Sequence, residues 1–296
     1  MKTSILGLIN KLNSEKVSGL GIIEWATPVP VFGDISNSNI ATLGLNPSNR
    51  EFVEVDGTEL IGKKRRFHTL RSLGIDSWWQ IQAHHTRMIE DSYKLYFEQN
   101  PYDGWFKALD NLMIGLEASY YGGMINSACH LDLIPFATYK KWTSLSNNQR
   151  QRLLSLSESH LFDCLKNTSI SLLILNGMSV IQAMQKMTGM AISSKEMPSW
   201  KLPRANQNHI KGYAFEGELT EIAGMKLGRV VRVIGFNHNI QSSFGVTNNV
   251  KNAIRDWIAE YRHEVASEIQ TKTTIKAITA SGVKQSKNFA PYARSG

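Results

Sequence analysis

Four short, nearly continuous apolar runs punctuate the chain: Ile40 to Gly44, Ser127 to Thr138, Ser169 to Gly177 and Arg229 to Asn237. Runs of this length bounded by Gly, Pro or Asn are the pattern of strands buried on both faces. Between them apolar residues recur at helical spacing. Ile5, Leu8, Ile9 and Leu12 predict a short N-terminal helix, and Ile81, Met88, Ile89, Tyr93 and Tyr96 a longer one reaching about residue 98. Trp105, Leu109, Leu112, Met113 and Leu116 mark a third, and Leu153, Leu154, Leu161, Phe162 and Leu165 the buried stripe of a helix over 147–166. A further helix is expected from Ser179 to about Met187, and a last one carries Val250, Ile254, Trp257, Ile258 and Tyr261 behind a cap at Thr247 or Asn248. Weak alternation over 212–223 predicts an edge strand, and the two-proline stretch 190–211, with Arg204, Asn206, Asn208 and His209, a polar loop.

Strands alternating with helices imply an α/β fold, a three-layer α/β/α sandwich around a central four-stranded parallel sheet. Residues 1–265 read as one domain with a helical insert at about 78–120. Residues 266–296 turn to Thr, Lys, Ser and Ala, with Lys272, Lys276, Lys284, Lys287 and Arg294, a composition expected of a flexible basic tail.

Composition narrows the setting. Across 296 residues, 42% are hydrophobic, enough for a sizeable core. Lys and Arg outnumber Asp and Glu by 33 to 25, a net +8, which fits either a polyanionic partner such as DNA or plain solubility. The two cysteines, Cys129 and Cys164, form no C-x-x-C pair and cannot by themselves hold zinc or an iron–sulfur cluster. No metal, iron–sulfur cluster or other cofactor is expected, and a reduced, cytoplasmic setting is the simplest. Polar residues interrupt the N-terminal apolar run before it reaches signal-peptide length, and no apolar stretch is long enough to span a bilayer.

The chemistry concentrates where strands end. The first strand runs into Gly44-Leu45-Asn46-Pro47-Ser48, where Pro47 forces the strand to stop with the Asn46 amide at its carboxyl end. Asn46 offers one acceptor and two donors without charge, suited to orienting water or reading a ligand, and Gly44 permits close approach. The acidic stretch Glu51 to Gly62 reads as a loop, and Lys63-Lys64-Arg65-Arg66-Phe67 as either a phosphate-binding cluster or a solvated face. In the second strand His130 and Asp132 share a parity opposite Leu131 and Leu133, and a carboxyl group inside a strand is costly unless paired or used. Asp132 is therefore a candidate site residue, with a buried salt-bridge or capping role as its alternative. Asn176 and Gly177 close the third strand, while His160 reads as structural. The fourth strand leads into a second dense polar turn, Asn237-His238-Asn239-Ile240-Gln241-Ser242-Ser243.

The Gly44-Leu45-Asn46-Pro47-Ser48 turn resembles the first motif of the uracil-DNA glycosylase superfamily, nearest its mismatch-specific uracil/thymine branch, where the motif's asparagine positions the attacking water. Arg66-Phe67 with Leu70 and Leu73-Gly74 is similar to that branch's Asn-Arg-Phe-Trp segment, although Arg65 and His68 stand where the branch has asparagine and tryptophan. The second polar turn resembles the second motif without its proline. Either Asn237 or His238 is then implied to stabilise the leaving base, and either Ile240 or Gln241 to be the wedge that fills the emptied stack.

The resemblance implies a monofunctional DNA glycosylase, a monomer that flips a base out of DNA and leaves an abasic site. Phe52 is expected to stack on the base, Asp132 to accept from an exocyclic amino group, and Ser48, Ser242, Ser243, Arg65 and Arg66 to grip phosphates. The superfamily includes bacterial anti-phage enzymes acting on modified cytosines of phage DNA, and that substrate is favoured. Repair of uracil or thymine mispairs, a catalytically silent sensor of modified DNA, and a nucleoside hydrolase stay open as alternatives.

Overall fold

The computed structural model describes residues 2–204 and 209–262. The strands are β1 (Val31–Phe32), β2 (Ile40–Gly44), β3 (Ala118–Ser119), β4 (Asn126–Asp132), β5 (Leu172–Asn176), β6 (Ile192–Glu196), β7 (Tyr213–Ile222) and β8 (Met225–Phe236). The helices are α1 (Lys2–Leu12), α2 (Leu70–Leu73), α3 (Ala83–Lys94), α4 (Tyr96–Gln99), α5 (Asp103–Met113), α6 (Asn147–Lys166), α7 (Met178–Thr188) and α8 (Asn248–Ala259). All the strands belong to one mixed eight-stranded sheet in the order β1-β4-β2-β5-β8-β7-β6, with β3 beside β4.

The four apolar runs become β2, β4, β5 and β8, neighbours that pair parallel. Every residue of β2 and of β5 is buried, as continuous apolar runs require. Helix boundaries follow side-chain caps. Ser146 accepts from the Gln149 N–H while Gln149 returns the bond to the Ser146 N–H, which starts α6, and Thr247 accepts from the Val250 N–H to start α8.

The sheet is larger than the four strands expected. An antiparallel β1 is added at one side, within a segment whose prolines masked its strand character, and antiparallel β7 and β6 at the other. The segment 213–222 is thus no edge strand, since it lies between β8 and β6. The edge is β6, inside the expected polar loop; Ser193, Ser194, Lys195 and Glu196 are all exposed, so no apolar alternation betrays it. The helix expected up to residue 98 is broken into a turn at Trp78–Gln80, then α3, then α4. Asn206, Asn208 and the basic tail lie outside the described residues.

β2 is the pivot. It is flanked by β4 and β5, and the connection that leaves β2 leads to β4 on one side while the one that leaves β5 leads towards β8 on the other. Such a reversal opens a crevice at the carboxyl ends of the two central strands.

Candidate active site at the carboxyl edge of the sheet

The first turn is built by β2 and β4 together. Gly44 and Asp132 face each other in register at the ends of the two strands. Past Asp132 the chain runs on beside the first turn in the same parallel sense, with Leu133 N–H donating to the Gly44 carbonyl and Ile134 N–H to that of Leu45. Pro47 ends the strand, and Ser48 caps a short 3-10 turn, Asn49–Glu51, by accepting from the Arg50 N–H at 3.2 Å.

Asn46 is half-buried. Its amide N–H2 donates to Thr138 Oγ1 at 3.1 Å and to the Pro47 and Phe136 carbonyls, while its Oδ1 accepts no hydrogen bond among the described residues. The side chain is therefore fixed by its donors and presents its acceptor.

His130 and Asp132 lie on the same side of β4, as their parity requires, with Nε2 3.4 Å from Oδ1. Behind them runs a buried relay in which Tyr120 OH bonds Thr42 Oγ1, itself 2.7 Å from His130 Nδ1. If Tyr120 donates to Thr42 and Thr42 to Nδ1, the Nε2–H faces Asp132. Asp132 is only 3% exposed, yet its carboxyl group accepts no hydrogen bond among the described residues. A Cβ at Gly44 would overlap Asp132 Oδ1, so only glycine permits this approach. His160, read as structural, donates from Nε2 to the Asp132 carbonyl at 2.9 Å and braces the strand end from beneath; burial pushes its pKa down to about 4.

Aromatic rings wall this recess. Phe32 meets the rings of His130, Phe67 and Tyr96 edge-on, and Phe106 also meets His130. Phe67 stacks on Tyr96 and leans on Phe52, and both Phe67 and Phe52 are 1% exposed. These rings are packed together in the core, so entry of a ligand requires some of them to part.

Glu51 lies in the same recess. Read from sequence as the start of an acidic loop, it is 3% exposed, with Oε2 accepting from Tyr96 OH at 2.8 Å and standing 4.0 Å from Arg66 Nε. Burial pushes its pKa up to about 7, and the Asp132 charge adds to the rise, whereas the Tyr96 hydrogen bond and the Arg66 cation oppose it. The one sequence sign of its burial was its place between the turn and Phe52.

The basic cluster divides. Arg66 is mostly buried and clamps the Arg50 and Asn100 carbonyls while lying over the Tyr102 ring, and Lys64 pairs with Glu54 at 2.9 Å. Lys63 is exposed like Lys64, and Arg65 is half-buried; neither Lys63 nor Arg65 is drawn into an ion pair among the described residues.

The second turn is organised differently. Asn237 Oδ1 accepts from the Tyr213 N–H and its Nδ2 donates to the Lys211 carbonyl, both at 2.8 Å. His238 is buried, donates from Nε2 to the Trp200 carbonyl at 2.8 Å, and has its pKa lowered by burial. Asn239 Oδ1 caps the N–H groups of Gln241 and Ser242, and Ser243 N–H donates to the Asn239 carbonyl. Asn176, at the end of β5, holds this turn by donating to Gln241 Oε1 and accepting from the Ile240 N–H; Gln241 in turn donates to the Trp105 carbonyl. Ile240 is buried, and the exposed apolar group is Phe244, which sequence reading passed over; it is 81% exposed, with the Arg204 guanidinium 5.1 Å from its ring centre.

Among the described residues no group of three or more His, Cys, Asp or Glu is placed to hold a metal ion, and no helix is long and apolar enough to cross a membrane. No protein-family model matches the chain, and a comparison with curated proteins returns no match.

Proposed function

We propose that the protein is a DNA glycosylase related to the uracil-DNA glycosylase superfamily, a three-layer α/β/α enzyme that flips a modified cytosine out of DNA and hydrolyses its N-glycosidic bond. The observation that carries the reading is the first turn, where Asn46 presents an Oδ1 without a hydrogen bond and the buried Asp132 carboxyl has the His130 ring, 3.4 Å away, as its polar neighbour. Each can accept a further hydrogen bond, and the reaction brings the donors: a water below the sugar and the amino group of a base. The aromatic wall supplies the faces on which a flat base stacks.

In this reading Asn46 holds the water against C1′, and Asp132, kept in place by His130 and His160, accepts from the exocyclic amino group of a cytosine-type base. The chain's net +8 and its exposed Lys63 favour the DNA backbone. The recess opens for the flipped base and closes behind it, which removes water from the reacting bond. The enzyme works as a cytoplasmic monomer, without a cofactor, and leaves an intact abasic strand because no lysine lies in either turn to form a Schiff base.

A second reading, a silent sensor of modified DNA, is favoured by one observation: Asn237 and His238, the two residues implied to stabilise a departing base, are both committed to backbone partners. Base release decides between the two. Duplexes carrying uracil mismatches, plain cytosine, hydroxymethylcytosine or glucosylated cytosine are incubated with the protein and treated with alkali to cut abasic sites. Cuts at one modified base, lost in Asn46→Ala, are expected; tight binding with no cut on any duplex would establish the sensor.

A further inference from the structure

We propose, resting on the glycosylase reading, that Glu51 is the catalytic acid that protonates the departing base and so takes the part that the second turn leaves unfilled. Negative charge grows on a pyrimidine as its glycosidic bond lengthens, and a group must receive it. Asn237 has both polar ends engaged and His238 directs its proton at the Trp200 carbonyl. Glu51, whose burial raises its pKa to about 7, holds a proton in about half of the molecules at neutral pH. It follows Asn46 by one short turn, is buried and linked to His130 and Asp132 through the Tyr96 and Phe106 rings, and has Oε2 fixed by Tyr96 OH, whose oxygen accepts from the Tyr102 N–H and so aims its proton at Glu51. Its Oε1 has no partner among the described residues. The buried Asp132 carboxyl, which has the His130 ring at 3.4 Å on Oδ1 and no hydrogen bond on Oδ2 among the described residues, is a second acceptor available to a ligand there.

A carboxyl that donates and one that accepts together complement the adjacent acceptor and donor on the edge of a pyrimidine: N3 and the amino group of a cytosine-type base or, in reverse order, O4 and N3–H of uracil.

The step balances. As the C1′–N1 bond breaks, its electron pair goes to the base, and the Glu51 O–H proton passes to N3 or O2, so the base departs neutral. The water on Asn46 adds its oxygen to C1′, and the proton it releases restores the Glu51 acid. The charged and titratable groups acting on Glu51 are Tyr96 on α4, Arg66 on the loop before α2 and Asp132 on β4, with His130 behind Asp132.

The test is single-turnover base release, between pH 5.5 and 9, from whichever modified-cytosine duplex the wild type cleaves, compared with Glu51→Gln. Glutamine keeps an acceptor for Tyr96 but cannot give up a proton. The wild-type rate is expected to fall as pH rises through about 7. E51Q is expected to be about a hundredfold slower at pH 6.5, with no such fall and with DNA affinity by anisotropy little changed. A variant with the wild-type rate and slope overturns the assignment of Glu51 alone. Absence of base release by the wild type on every duplex overturns the glycosylase reading and this inference with it. Should E51Q not fold, the wild-type profile decides: a rate independent of pH from 6 to 9 overturns the proposal, and a fall through about 7 supports it.

Discussion

The two polar turns at the carboxyl edge look alike as sequence and differ in what their side chains do. Both follow a buried strand, both are rich in Asn and Ser, and only β5 separates the strands that carry them, about 10 Å apart at ordinary strand spacing. In the second turn the amide side chains close local bonds: Asn237 onto the start of β7, Asn239 onto its own turn, Gln241 onto Asn176 and α5. In the first turn the donors of Asn46 are anchored while its acceptor is not, and the Asp132 carboxyl has only the His130 ring beside it. Density of polar residues therefore does not mark chemistry. A side chain fixed at one polar end with its other end open does, because it can meet a ligand without rearranging.

The contrast can be broken most sharply by Asn46→Ala, which removes the positioned acceptor from a half-buried side chain. Base release is expected to fall by about a hundredfold or more, the penalty for a misplaced reactant, with the far-UV circular dichroism spectrum unchanged. If release survives in this variant but is lost in Asp132→Ala, Asn46 does not hold the water. Next in size is the stability of Glu51→Gln. Unfolded, the carboxyl ionises near 4.5, and folded at about 7, so the native state holds the proton more tightly. The burial penalty is absent below about 4.5, grows as pH rises, and is complete above about 7. The glutamine variant should gain about 3 kcal/mol relative to wild type between those limits, at about 1.4 kcal/mol for each tenfold gain in proton affinity on folding. Urea melts at pH 4.5 and 8 check this; an equal difference at both would mean that Glu51 is not proton-bound in the native state. Smaller again, Asn237→Ala strands two backbone groups and is expected to cost about 2 kcal/mol, lowering the melting temperature by several degrees. Its rate per folded molecule should stay close to wild type, and a large loss there would return the leaving-base role to Asn237.

Much of this was legible in the chain. The runs at β2, β4, β5 and β8 are strands because continuous apolar sequence has no other use at that length, and α6 and α8 begin where Ser146 and Thr247 cap them. Pro47 announced the end of β2, and the parity of His130 and Asp132 put both on one side of β4. What was illegible depends on partners distant in sequence. β6 is polar and recognisable only through its pairing with β7. Glu51 looks like its acidic neighbours until Tyr96, 45 residues later, and Arg66 fold over it. The roles offered to Asn237 and His238 depended on their being free, and the Lys211 and Trp200 carbonyls that engage them lie on other segments.

The finest test of the contrast concerns what the second turn presents to DNA. A residue that fills an emptied base stack has to project from the surface, and Ile240 is 5% exposed while Gln241 is tied on both sides of its amide. Phe244 projects, at 81% exposure, and the Arg204 guanidinium that donates to its carbonyl at 3.0 Å also covers its ring, holding a flat apolar group beside a cation. Ile240→Ala opens a hole beneath the turn and should cost about 2 to 5 kcal/mol of stability, whereas Phe244→Ala should leave stability within about 0.5 kcal/mol. For DNA the order reverses: Phe244→Ala is expected to weaken binding about tenfold, as loss of one base–aromatic stack does, with the salt dependence unchanged because no phosphate contact is lost. Anisotropy titrations at two salt concentrations separate the cases, since an unaltered affinity would remove Phe244 from the interface and a shallower salt slope would make Arg204, displaced with its ring, the group that matters.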